Sequence, residues 1–135
     1  MYEVTFVPIL IAGIAAMLLG FGWYHPRVFG GVWMRMVGIT PEMAERGKKR
    51  MIPTVIAAVL ASMLAAYVMN HFGAAWGVFD IIGAIELGIW TWIGFVVPTM
   101  ISIVLWEQKP FKLFAINALY WLLAFIAMAI ILVIF

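Results

Sequence analysis

One carboxylate stands apart in this chain. Glu86 is the only acidic residue well inside a long apolar run. A charged carboxylate in hydrocarbon is costly, so Glu86 must be neutral, paired or open to water. Asp80 precedes it by six residues, roughly 9 Å along a helix, and Trp90 follows one turn deeper on the same face. Tyr67 and Asn70 of the preceding run sit at similar height, with His71 nearer the surface. In one reading Glu86 is a proton or cation site that gives up its proton when a cationic substrate arrives, with Trp90, Tyr67 and Asn70 around it. In the other it is a neutral acid hydrogen-bonded to the neighbouring helix, fixing the bundle. The sequence leaves both open.

Other chemistry is hard to assemble. His25 and His71 fall near opposite faces of a membrane, there is no cysteine, and the acids are scattered, so no metal site is expected. No serine, histidine and acid converge, and no glycine-rich phosphate loop follows a strand. Nothing marks the chain as an enzyme, and no cofactor is implied.

The elements that would position Glu86 follow from composition. Of 135 residues 67% are hydrophobic and only 10% charged, against about a quarter charged in a soluble domain; mean hydropathy is +1.16. Lipid must cover most of such a surface. The net charge of +2 does not suggest a nucleic-acid partner. A hydrocarbon core of about 30 Å needs roughly 20 apolar residues in a helix. Four runs qualify, at about 4–24, 52–70, 81–105 and 113–135, giving one all-α transmembrane domain over residues 1–135. The first run has no basic flank and ends in Trp-Tyr-His-Pro, so it is expected to be an uncleaved helix instead of a signal peptide.

Loop charge orients the spans. The first loop holds Arg27, Arg35, Arg46, Lys48, Lys49 and Arg50, the third Lys109 and Lys112, and the second loop has no lysine or arginine. Four spans place loops one and three on one side, which the positive-inside rule makes cytoplasmic. The expectation is a multi-pass protein of the cell membrane with both termini outside.

Helix one carries Ala12, Ala16 and Gly20 at four-residue spacing with Gly13 beside them, and helix two carries Thr54, Ala58, Ser62, Ala66 and Asn70, with Ala57, Ala61 and Ala65 in a parallel row. Such rows let helix backbones approach closely. The two helices are expected to be neighbours, unless one row is a contact between copies in a homo-oligomer. In the first loop Phe29, Trp33 and Val37 share a helical face opposite Arg27, Gly31 and Arg35. That suits a short interfacial helix with its aromatics dipped into lipid. Thr40-Pro41 reads as an N-cap and first helical position. Arg35, Lys48, Lys49 and Arg50 are candidate lipid-headgroup contacts as well as topology anchors. In helix three, mid-membrane Trp90 and Trp92 need partners or a pocket. Pro98 frees the carbonyl of Gly94 and predicts a bend, with Thr91, Thr99 and Ser102 available to satisfy freed backbone groups. In helix four Asn117, Trp121 and Ala124 share a stripe, and Asn117 can hydrogen-bond across helices.

Taken together, Gly20-x-x-Trp23-Tyr24-x-Pro26-x-x-Phe29-Gly30-x-x-Trp33-Met34, Trp92-x-Gly94-Phe95, Glu107-x-Lys109-Pro110 and Asn117-x-x-Tyr120 resemble the domain of unknown function (DUF) 1761 proteins. The resemblance implies a small prokaryotic protein with four spans, and no activity. Two functions follow from the residues. One is a non-catalytic membrane scaffold that packs with lipid, itself or another protein and takes up a lipid or hydrophobic ligand. The other is a small proton-coupled transporter of a cationic or hydrophobic substrate using Glu86. The outline is similar to the small multidrug exporters, which carry their glutamate on the first helix, where this chain has only Glu3.

Overall fold

The computed structural model describes residues 6–135; Glu3 and the expected start of the first span at Val4 lie outside them. The elements are α1 (Phe6–Trp23), a π-helical turn (Pro26–Gly30), α2 (Gly31–Val37), α3 (Pro41–Lys49), α4 (Met51–Ala75), α5 (Ile81–Thr91), a second π-helical turn (Trp92–Val96), α6 (Val97–Met100), α7 (Ser102–Leu105) and α8 (Phe111–Ile134). Helices α1, α4, α8 and the composite run Ile81–Leu105 are each long and apolar enough to cross a membrane. The result is the expected all-α bundle, a multi-pass membrane protein with large hydrophobic side chains such as Phe6, Leu18, Ile52, Leu64 and Ile82 on its outside.

α8 is the hub. It packs along α1 on one side and α5 on the other, while α4 leans chiefly on α1 and touches α5 only lightly. The core is made largely of small residues: Ala12, Ala16, Ala66, Ala84 and Ala124 are fully buried, with Met128 filling the space among them. The row Ala12, Ala16 and Gly20 is buried as the spacing requires. So are Ser62 and Ala66 of helix two, whereas Thr54, Ala57 and Ala61 remain exposed. The first row of α4 thus packs at Ser62 and Ala66 but not at Thr54, and of the second row Ala65 meets the core. The close crossings rest on glycine. A Cβ on Gly88 would stand 2.9 Å from the Cα of Ile126 in α8, and one on Gly13 would stand 2.6 Å from Cγ of Met63 in α4.

Element boundaries differ modestly from expectation. α4 runs to Ala75, five residues past Asn70, because nothing in His71–Ala75 breaks it until Gly77 turns left-handed at φ 68°. Thr40 caps α3 by accepting from the Met43 N–H at 3.2 Å, with Pro41 at the first position. The third span is broken, as Pro98 predicts, but the distortion also takes in a π-helical turn one step earlier. Thr91 Oγ1 donates to the Leu87 carbonyl (2.7 Å) and Thr99 Oγ1 to Phe95 (2.6 Å). Ser102 Oγ donates to Thr99 (3.0 Å). The three hydroxyls thus serve the local backbone instead of meeting one another.

Candidate functional site

The rim motif forms a clasp between α1 and α8. Where α1 ends, Trp23 Nε1 donates to the Ile116 carbonyl at 2.9 Å and Tyr24 Oη donates to Asn117 Oδ1 at 2.6 Å. Tyr120 returns the contact from α8, its hydroxyl donating to the Ala16 carbonyl at 2.6 Å. Trp92 Nε1 reaches α8 from the third span, donating to the Ala118 carbonyl at 2.6 Å. In hydrocarbon such groups have no water to turn to, so each needs an acceptor from a neighbouring helix, which is α8 for Trp23, Tyr24 and Trp92 and α1 for Tyr120. Among the described residues no buried side-chain nitrogen or oxygen lacks a partner.

The first loop folds back onto this clasp. His25 Nδ1 accepts from the Arg27 N–H at 3.1 Å, and Pro26 opens the π-helical turn. The Gly30 N–H then donates to the His25 carbonyl at 3.0 Å. This brings Gly30 so close to Tyr24 that a Cβ would stand 2.0 Å from its carbonyl oxygen, so the position accepts only glycine. The fold-back carries two rings inward: Phe29 packs on Trp23 (centroids 4.5 Å apart) and Trp33 meets Tyr24 edge-on at 5.3 Å. Phe29 and Trp33, expected to dip into lipid, are half-buried and each gives part of its ring to this packing. Trp23 and Tyr24 offer aromatic faces nearer than lipid does, and only a three-dimensional turn reveals that they are within reach. His25 is a helix cap, as rim structure demands.

Beside the clasp lies a cavity of about 630 Å³. Its walls come from Gly20, Tyr24 and Trp33 at the loop-one end, from Ala58, Ala61 and Ser62 of α4, and from Asn117, Tyr120 and Trp121 of α8, with Met100 facing them. A second cavity of about 440 Å³ continues along α4 past Ala61 toward Phe72, Thr91, Phe95 and Phe125. Ala61 lines both. The cavities exist because α4 stands off from the third span, and because small side chains face the gap. In the wall of the second, Phe72 stacks on Phe95 (5.9 Å), and it stacks also on Trp76 (5.5 Å).

Glu86 lies elsewhere. It is exposed and shares with Trp90 (64% exposed), Trp76, Gly83 and Leu87 a crevice of about 200 Å³ near the α4–α5 connection. Tyr67 sets its ring edge-on to His71 at 4.7 Å, and Asn70 lines a narrow crevice with Met69, Val78 and Leu87. Neither lines the Glu86 crevice. Arg35, Lys48, Lys49 and Arg50 are all exposed, and Lys48 pairs with Glu45 at 3.0 Å. No three histidine, aspartate or glutamate side chains among the described residues gather as metal ligands would.

The residues that meet in the clasp were each visible in the sequence, but not their meeting. Tyr24 and Asn117 are 93 positions apart. The one available signal was that both carry polar groups at matching depth beside the same pair of loops.

The family model described as protein of unknown function (DUF1761) matches residues 7–133. No curated protein and no solved structure matches the chain.

Proposed function

Starting from the fact that the chain belongs to the DUF1761 family, whose description assigns no activity, we propose that it is a non-catalytic ligand-binding protein of the membrane. It takes an apolar or amphiphilic molecule into the cavity between α4 and α8. The observation that carries this reading is the cavity itself. At about 630 Å³ it falls within the roughly 300–1,000 Å³ of ligand sites, which are mostly apolar with a few placed polar groups. Here those groups are Ser62, Tyr24, Asn117 and Tyr120. Tyr24, Asn117 and Tyr120 are held by hydrogen bonds that also join α1 to α8, so the wall is fixed on that side, while Ser62 stands on the α4 side.

An orientation accompanies the reading. Seven of the eight lysines and arginines lie in the connections α1–α4 and α7–α8, and Lys112 lies in the first turn of α8; the positive-inside rule supports a cytoplasmic side for those loops in a cell membrane, with α2 at its interface. The chain has no cysteine, so Glu42→Cys and Ala75→Cys report sidedness cleanly. An impermeant maleimide should label the second from outside intact cells and the first only after permeabilisation. The reverse pattern overturns the orientation.

The binding reading is tested by native mass spectrometry of protein extracted from its own membrane. Wild type should carry one co-purifying amphiphile of constant mass, and Ala61→Phe, which fills the junction of the two cavities, should carry none. Equal loading of both proteins would end it.

A further inference from the structure

We propose that the occupant of this cavity is an anionic phospholipid of the leaflet beside the basic loops, one acyl chain in the cavity and its phosphate held by Arg50. The proposal rests on the ligand-site reading above and names its ligand class. Three observations support it.

The first is depth. Ala61 lies eleven residues into the membrane from Arg50, about 16 Å along a helix rising about 1.5 Å per residue, which is close to half of the roughly 30 Å hydrocarbon core. The larger cavity therefore spans one leaflet and ends near the midplane, where the second cavity begins at the same Ala61. A chain from one leaflet matches that length.

The second is the path. Arg50, Thr54 and Ala58 follow one another at four-residue spacing on α4, and Ala58 opens into the cavity together with Ala61. Thr54, Ala57 and Ala61 are exposed. This small-residue face is a smooth track from the basic loop to the cavity, which Met100 of α6 also lines. A chain can enter sideways without crossing the clasp.

The third is charge. All eight basic residues of the protein lie at this end, seven in the two connections and Lys112 in the first turn of α8, against three acidic ones, Glu42, Glu45 and Glu107. Lys48 is engaged by Glu45, the one ion pair among the described residues; Arg50 is one of the seven basic residues outside it and is the one at the N-cap position of α4, where its side chain makes no cap bond. A guanidinium at the head of an apolar track is the arrangement that binds a phosphate above an acyl chain.

The test uses the full chain in nanodiscs of equal parts phosphatidylglycerol and phosphatidylcholine, with retained lipid counted by native mass spectrometry. Wild type should release with one phospholipid, phosphatidylglycerol several-fold over phosphatidylcholine. Arg50→Gln should still retain one lipid but lose about fivefold of that preference, the order expected for one basic residue at a membrane surface. Ala61→Phe should retain none, and Ala58→Leu serves as a milder block if Ala61→Phe unfolds. Equal retention of the two lipids by wild type, or an unchanged preference in Arg50→Gln, overturns the headgroup assignment while the ligand-site reading stands. Retention unaffected by either cavity-filling change overturns both.

Discussion

α8 and α4 are close to twins on paper. They have 24 and 25 residues, with window hydropathies of 2.4 and 2.1. Neither shows a polar face by which its orientation could be read. Yet 33% of the α8 window is buried and only 11% of the α4 window. The difference is made by other helices. α8 receives polar hooks from Trp23, Tyr24 and Trp92 and sends one back through Tyr120. α4 meets the bundle through close packing at Gly13, Ser62 and Ala66 and through the stack of Phe72 on Phe95. In lipid, apolar contact gives no net reason for one neighbour over another, so close packing and interhelical hydrogen bonds decide which helix becomes central. A helix held by shape on one side can leave a cavity on the other, and here it does.

The sharpest way to break that contrast is one substitution made twice. Gly88→Ala pushes a methyl into the backbone of α8 at Ile126, which cannot step aside; it should destabilise by about 2–3 kcal/mol. Gly13→Ala meets the flexible Met63 side chain first, with the Val59 carbonyl at 3.0 Å, and should cost about 1 kcal/mol. Thermal unfolding in detergent compares them. Equal costs would mean that α4 is as tightly seated as α8.

A smaller effect isolates the hooks. Asn117→Leu keeps the volume but removes the acceptor of the Tyr24 hydroxyl, for an expected loss of about 1 kcal/mol. Tyr24→Phe should cost a similar amount, and the double variant little more than either alone. Simple additivity would show that the 2.6 Å contact contributes nothing to the hub.

Smaller still is the expected effect of Ala61→Phe on stability. The ring enters a gap, so unfolding should shift by less than about 0.5 kcal/mol even as ligand retention is lost. A large destabilisation would mean that the gap closes in the folded protein and that α4 packs on the third span after all.

How much of this was legible beforehand follows the same line between hub and periphery. Hydropathy located all four spans, and the small rows of α1 and α4 identified their contact. Thr40-Pro41 marked the start of α3 because capping is local chemistry. Pro98 announced the break in the third span. The π-helical turn at Trp92–Val96 has no comparable mark, since its register shift is held by where Trp92 finds an acceptor on α8. The central place of α8 was hidden for the reason already given: a helix apolar all round looks the same from every side. The clasp joins residues about ninety positions apart, a distance at which no local pattern speaks. An isolated carboxylate such as Glu86 is conspicuous in sequence, whereas an empty space between alanines is not.

Glu86 supplies the smallest expected change. Its carboxylate is exposed in the crevice with Trp90, on the far side of Ala61 from the large cavity and within two turns of the N-cap at Asp80. Near a helix end a carboxylate can reach the interface, so it needs no buried partner to be tolerated. Glu86→Gln should leave unfolding within about 0.5 kcal/mol of wild type. Proton and cationic-dye flux in proteoliposomes should be the same for both proteins. Flux present in wild type and absent from a folded Glu86→Gln variant would revive the transporter. It would also move the working site from the seam left by α4 to the opposite end of the bundle. The contrast between a hooked hub and a loosely seated helix would then explain the architecture but not the function.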